Sequence, residues 1–305
     1  MGVTRYDKSD RFMNELTDSM EEKLKELGKE KEVETVMTIR DASDSQRQQN
    51  EQVKELLGAG CNVLLVNLVD RTNTSSIIEQ AKERDVPVIF FNREPVAEDL
   101  KQWNKLYYVG ADAQESGKMQ GELAAAAIAE NPKIDRNQDG KIQYVILEGE
   151  PGHQDAIIRT EESVNTLKNA GIKLEKLGYG IANWNRAQAE NRMMQLIGQY
   201  QNDIELVLSN NDEMALGGLD AYAKLNRTES SIPVFFGIDG TKIGLQAVKD
   251  DLLAGTVYND KDGQATAMAE LAADLALGKK SRLTAAGPQI YLPYKKITKE
   301  NVADF

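Results

Sequence analysis

Asp135-Arg136-Asn137-Gln138-Asp139-Gly140-Lys141-Ile142-Gln143 is the segment whose residue types and spacing carry the plainest chemistry. Oxygen side chains fall at positions 1, 3, 5 and 9 of a D-x-[DN]-x-[DN]-G loop, and the glycine at position 6 permits its sharp turn. Lys141 would offer its backbone carbonyl. This is a calcium-binding pattern. Position 12, where a bidentate glutamate belongs, is Ile146, inside a strand-like run, so a carboxylate from elsewhere must complete the shell. Spacing does not name it.

A second set of polar residues follows apolar runs: Asp10, Asn92-Arg93, Glu148 to Asp155, Asn210-Asn211-Asp212 and Asp239. Singly, Asn and Asp in such places are also ordinary helix N-caps. Together they form a set of amides and carboxylates with few cations, which suits a neutral polyhydroxyl ligand better than a phosphate.

Other chemistries are poorly supplied. Cys61 is the one cysteine and His153 the one histidine, so neither an intrachain disulfide nor a sulfur–imidazole zinc cluster can form. Cys61, within CNVLLVNL, reads as a buried core thiol. No Gly-x-Gly-x-x-Gly follows a strand, because Gly58-Ala59-Gly60 precedes one, and there is no P-loop and no Gly-x-Ser-x-Gly elbow. A Ser–His–Asp triad would have to use His153, which lies in EPGHQD among the polar strand-end groups, and nothing singles out a pair of carboxylates for glycosidase work. With 37 Lys and Arg against 49 Asp and Glu, the net charge of −12 excludes a general nucleic-acid binder and disfavours anionic lipid. The longest apolar run, Leu123 to Ala129, is far below the roughly 18 residues of a membrane span. Met1-Gly2-Val3 shows no signal peptide, which predicts either a cytosolic protein or an exported one whose leader has been removed.

The elements that must position these groups alternate between strand and helix. At 305 residues the chain predicts two domains, and 41% hydrophobic with 28% charged residues is ordinary for a globular protein. The patterning predicts helices over Gln46 to Leu57, capped at Gly58, over Ser75 to Arg84 and over Asp212 to Leu225. It predicts strands over Asn62 to Leu68, Val88 to Phe91, Tyr144 to Leu147, Glu205 to Leu208 and Val234 to Ile238. VPVIFFNRE and IPVFFGIDG look like corresponding pieces of two similar domains. Such alternation implies α/β domains with parallel sheets covered on both faces, and ligands then bind at the carboxyl ends of the strands.

The chain resembles a family, the periplasmic glucose/galactose-binding proteins, which are type I sugar-binding proteins of ABC transport. The likeness runs through GVTRYDKSDRFM, LLVNLVD, VPVIFFNREP, YYVGADAQESG, DRNQDGKIQYVILEGEPGHQDA, ANW, IELVLSNNDEMALG, IPVFFGID, LAGTVYND and YLPYKKITKENVADF, with residues 261–289 less distinctive. The resemblance implies two Rossmann-like parallel-sheet domains, 1–110 plus 259–293 and 111–258 plus 294–305, joined by a three-segment hinge with the sugar in the cleft between them. It implies Phe12 and Trp184 as the rings that sandwich the pyranose. It implies Asp10, Asn92, His153, Asp155, Arg159, Asn211, Asp239 and Asn259 as partners of its hydroxyls, with Tyr6 lining the cleft. Asp10 would meet the hydroxyl at sugar carbon 4 and accept from either epimer, so both glucose and galactose are expected. A structural Ca²⁺ would be held by Asp135, Asn137, Asp139, Lys141, Gln143 and Glu205. The implied protein is an extracytoplasmic monomer of the periplasm or cell surface that delivers sugar to an ABC permease and serves a chemoreceptor. The chain departs from the family pattern at Arg93, where Lys is expected, at Asn185, where Asp is expected, and in the extra residue of VFFGID. The alternatives are the ligand-sensing core of a repressor, which would need a helix-turn-helix of about 60 residues ahead of the first strand, and an enzyme of the same α/β class.

Overall fold

The computed structural model describes residues 1–305, apart from the side chain of Glu229. In chain order its elements begin β1 (Gly2–Arg5), α1 (Arg11–Glu30), β2 (Thr38–Asp41), α2 (Gln46–Gly58), β3 (Leu64–Val66), α3 (Ser75–Glu83), β4 (Val88–Phe91) and β5 (Leu106–Gly110). There follow α4 (Ala113–Glu130), β6 (Ile142–Glu148), α5 (Gln154–Asn169), β7 (Leu174–Ile181), α6 (Arg186–Tyr200), β8 (Leu206–Ser209) and α7 (Asp212–Lys224). The chain closes with β9 (Val234–Phe236), α8 (Lys242–Lys249), β10 (Thr256–Asn259), α9 (Lys261–Ala276), β11 (Gln289–Tyr291) and β12 (Tyr294–Ile297).

The residues divide into two compact units, Met1–Ala111 with Asp260–Leu292, and Asp112–Asn259 with Pro293–Phe305. The chain passes between them three times. Asn259 belongs to the second unit rather than the first, because it ends β10, which pairs antiparallel with β12.

In the first unit six strands lie in the order β11-β5-β4-β3-β1-β2, each neighbouring pair parallel. LLV of β3 and VIFF of β4 are buried throughout, as strands covered on both faces must be. Alternation along the strands sorts their side chains into two cores. Val3, Leu65, Ile89 and Val109 pack with Met13, Leu16 and Met20 of α1 and Met268 and Leu271 of α9. Leu64, Val66, Val88 and Phe90 pack with Val53 and Leu56 of α2 and Ile77 and Ile78 of α3.

The second unit holds a parallel sheet in the order β7-β6-β8-β9. Val145, Leu147, Val207 and Phe235 from this sheet form a core with Met193 and Ile197 of α6 and Ala215 and Leu216 of α7. The β10–β12 pair joins it through isolated bridges, Phe236 with Gly255 and Asp239 with Tyr258.

Several expected boundaries shift. The strand expected over Asn62 to Leu68 contracts to β3, and that over Val234 to Ile238 contracts to β9. Gly58 is the last residue of α2 rather than its cap; Ala59 caps the helix and the left-handed turn falls at Gly60, φ 81°. Cys61 lies in the turn ahead of β3, half-buried, not in the strand, and burial pushes its thiol up. Among the described residues no helix is long and apolar enough to cross a membrane.

Candidate functional site

In the second unit the groups gather around Arg159, one helical turn after Asp155 on α5 and only 4% exposed. Its Nη1 donates to the Asn210 carbonyl at 2.9 Å and its Nη2 to the Tyr294 hydroxyl at 3.1 Å. Asp155 Oδ2 and Asp239 Oδ1 each lie 3.7 Å from the guanidinium. Burial works against this charge, but Tyr294, Asp239 and Asp155 outweigh it and hold the group protonated. The Tyr294 hydroxyl is pushed up to about 12 by its own burial, against the pull of Arg159. Arg159 Nε is buried and finds no hydrogen-bond partner among the described residues. A buried, unpaired N–H costs about 1–3 kcal/mol, so a ligand oxygen there would be favoured.

Asp239 caps no helix, since Thr241 caps α8. It stands at φ 113°, a conformation an L residue keeps only when its surroundings force it. Its amide donates to the Val257 carbonyl at 2.8 Å, and its carbonyl accepts from the Asn259 amide at 2.9 Å. Asn259 is buried at the end of β10. Asn211 caps α7 through its Oδ1, which accepts from Met214 N at 2.9 Å, and its Nδ2 donates to the Trp184 carbonyl at 3.4 Å. His153 caps α5: its Nδ1 accepts from Asp155 N at 3.1 Å, which leaves the proton of the neutral ring on Nε2. The Trp184 ring meets the His153 ring edge-on, centroids 5.0 Å apart. Gly149 leaves room for that indole, since a methyl group there would overlap it. Thus His153, Asp155, Arg159, Trp184, Asn211, Asp239 and Asn259 all belong to the second unit, where β6, β7, β8, β9 and β10 end.

The first unit carries Tyr6, Asp10, Phe12 and Asn92. Asp10 caps α1, its Oδ1 accepting from Met13 N at 3.0 Å, while its Oδ2 accepts the Tyr6 hydroxyl at 2.6 Å. Phe12 is buried in the first unit's core. Asn92, at φ 59° just past β4, accepts through Oδ1 from Asn67 Nδ2 at 3.1 Å. Arg93 is buried with its guanidinium carbon 3.5 Å from the Tyr6 ring centroid, and its Nη1 donates to the Val69 carbonyl at 3.0 Å.

The loop at Asp135 to Gln143 is closed by backbone amides. Glu205, buried at the start of the run into β8, accepts from Arg136 N at 2.6 Å and Gln143 N at 3.1 Å. Asp135 accepts from Asp139 N at 3.2 Å and Gly140 N at 2.9 Å. Gln143 Nε2 donates to Asp139 Oδ2 at 2.8 Å, and Asn137 Nδ2 donates to Gln143 Oε1 at 3.2 Å. Among the described residues no three His, Cys, Asp or Glu side chains gather as a metal shell does. The donors around this loop are nevertheless oxygen throughout, and Glu205, distant in sequence, reaches it. That donor set fits a hard cation such as Ca²⁺.

Sequence reasoning missed two supports, Asn67 and Tyr294, and placed Asn210 among the strand-end groups without giving it a role. Asn67 is buried and bonds Tyr6 N, the Phe91 carbonyl and Asn92 Oδ1. Its signal was an amide inside the aliphatic run LLVNLVD. Asn210 accepts Gly149 N at 3.0 Å through its side chain and Arg159 through its carbonyl. Tyr294, 135 residues from Arg159, gave no local signal.

The periplasmic binding protein domain matches residues 1–280. D-galactose/methyl-galactoside binding periplasmic protein MglB of Haemophilus influenzae is 37% identical over 310 residues, covering 100% of this chain and 91% of that protein. A putative rhizopine-binding protein of Rhizobium meliloti is 29% identical over 270 residues, 88% of this chain and 82% of its own. Among solved structures, an ABC transporter solute binding protein from Bacillus halodurans with bound myo-inositol superposes with a TM-score of 0.82 at 26% identity, covering 99% of this chain and 95% of that one. A counterpart from Actinobacillus succinogenes with bound D-allose gives 0.84 at 19% identity over 100% and 99% of the two chains, a likeness of fold.

Proposed function

We propose, for a chain that belongs to the periplasmic binding protein family, that the strand-end groups of both units serve one aldohexose, glucose or galactose. The chain is a sugar-binding receptor of ABC transport, in a family of solute-binding proteins rather than enzymes. The observation that carries the hexose reading is the Asp155–Arg159–Asp239 group, two carboxylates about one buried guanidinium that keeps an unpaired N–H. A carboxylate accepts hydroxyl hydrogens in charge-assisted bonds roughly twice as strong as neutral ones, and the guanidinium donates to ring and hydroxyl oxygens. Asn92, Asn211 and Asn259 add groups that both donate and accept, as a hydroxyl rim requires. Sugar binding would then draw the units together about the three chain passages, giving the permease a closed form to read. The receptor works as a monomer in the periplasm or at the cell surface and also serves a chemoreceptor. Calorimetric titration with glucose and with galactose should give saturable binding of both. No heat with either sugar overturns the hexose assignment, and an unchanged radius of gyration at saturating sugar overturns closure.

Calcium is the second part of the reading, supported by Glu205 reaching the Asp135–Gln143 loop. Asp135, Asn137, Asp139, Gln143 and Glu205 would hold the ion with the Lys141 carbonyl, and the ion would offset the repulsion among three carboxylates. Chelation should lower the melting temperature and calcium should restore it better than magnesium, with sugar affinity little changed. A melt indifferent to both ions overturns this assignment.

A further inference from the structure

Asp212 is fully buried beside Asn211, yet it faces no cation of the Arg159 group. Its Oδ2 accepts from Thr241 N at 2.9 Å and from the Thr241 hydroxyl at 3.3 Å, and its Oδ1 accepts from the Thr256 hydroxyl at 2.6 Å. The Gly240 amide adds a further bond to the carboxyl, while the Asp212 amide donates to the Ile238 carbonyl at 2.8 Å. These contacts bracket Asp239 on both sides, at Ile238 and at Gly240-Thr241. The pocket is cut to the carboxyl group: a methyl group on Gly237 or on Gly244 would collide with it.

From this geometry we infer that Asp212 is a positioning residue for the sugar site, tying the turn after β9 and the start of β10 to α7 so that Asn211, Asp239 and Asn259 keep their places. The inference rests on the hexose reading above. Asp239 holds a backbone conformation at φ 113° that costs about 1–3 kcal/mol unless its neighbours impose it. The Val257 and Asn259 bonds fix it from β10, and Asp212 fixes it from α7. Thr256 opens β10, the strand that Asn259 closes three residues later, so one carboxyl anchors the turn after β9 and the start of β10 to α7. A binding group held less firmly loses its geometry, and affinity falls even though no ligand contact is removed.

The test is a double-mutant cycle read by glucose calorimetry. Asp212→Ala should weaken binding at least about tenfold, and it should add clearly less in an Asp239→Ala background, since the part of its effect that passes through Asp239 is already lost there. Asp212→Asn, whose amide can accept from Thr241 N and donate to the Thr256 oxygen, should stay within about threefold of the parent. A merely structural role would make the losses additive and give no such rescue. Should Asp212→Ala not fold, Thr256→Val against Thr256→Ser carries the test: the valine variant should lose affinity and the serine variant keep it. Additive losses, or equal affinity of the Thr256 variants, overturn the positioning role. Parent-like binding by Asp239→Ala would instead overturn the hexose reading beneath it.

Discussion

The corresponding turns after β4 and β9 solve one problem with different chemistry. Each ends a buried strand and places its polar residue at positive φ, Asn92 at 59° and Asp239 at 113°. In the first unit the support is neutral: Asn67 holds Asn92, Tyr6 N and the Phe91 carbonyl, and the Tyr108 hydroxyl donates to the Asn92 carbonyl at 2.9 Å. In the second unit the support is charged, with Arg159 set between Asp155 and Asp239, while the buried Asp212 bonds Thr241, two residues past Asp239. An amide network loses individual hydrogen bonds, each worth about 0.5–1.5 kcal/mol net. A buried charged set loses far more when one member goes, because the remaining charges stay desolvated. The second unit's groups should therefore be the brittle part of the proposed site.

Arg159→Met tests this most severely. It strands Asp155 and Asp239 in a buried setting, where breaking an ion pair costs about 3–5 kcal/mol. Glucose affinity should fall at least about 100-fold, with a clear drop in melting temperature. Titration within tenfold of the parent would show that the guanidinium is not central.

Asn67→Ala is the matching cut in the first unit. It leaves Tyr6 N and the Phe91 carbonyl without their side-chain partner, at a cost of about 1–3 kcal/mol. Chemical denaturation should show that loss, and glucose affinity should fall about tenfold or less. A larger loss of affinity than in Arg159→Met would reverse the comparison.

How far the sequence anticipates this contrast depends on the range of the interactions. The α/β alternation is legible because it is written in local periodicity, and LLV and VIFF announce buried parallel strands. Asp10, Asn92, Asn211 and Asp239 are legible as strand-end groups, although Asp10 and Asn211 also cap helices and Asn92 and Asp239 do not. Residues such as Trp184, Arg159 and Glu205 entered through family resemblance, not spacing. The Arg159–Tyr294 bond spans 135 residues and the Asp212–Thr256 bond 44, and pairings across such separations leave no local pattern to read.

The two supports should also separate by pH. Burial pushes the Asp212 carboxyl up from 3.8 to about 7, against the opposing bonds from Thr256, Thr241 and Gly240. Between those values the folded chain keeps a proton that the unfolded chain has released. Its contribution to stability is thus present below about pH 4 and lost as pH rises through about 7. Asp212→Asn has no such group, and Asn67 in the first unit does not titrate. The melting temperature of the parent relative to Asp212→Asn should fall by at least about 2 °C across that window. Asn67→Ala should leave the slope unchanged. A parent and Asp212→Asn that track each other throughout would place the titration elsewhere.

The mildest change falls at Tyr6. Its hydroxyl donates to Asp10 Oδ2 at 2.6 Å, and Arg93 stacks on its ring at 3.5 Å, so Tyr6→Phe removes one donor and keeps the stacking. Asp10 is only half-buried and still accepts from Met13 N, so water can replace the lost hydroxyl at Oδ2. The net loss should be that of one ordinary hydrogen bond, about 0.5–1.5 kcal/mol, or roughly threefold to tenfold in affinity. On the proposed hexose site the carboxylate could still accept from an axial or an equatorial hydroxyl, so glucose and galactose should weaken together, their ratio within about twofold. A ratio shifted tenfold would mean that Tyr6 sets the direction from which Asp10 meets the sugar, and the first unit would then be the selective half, with the second supplying affinity.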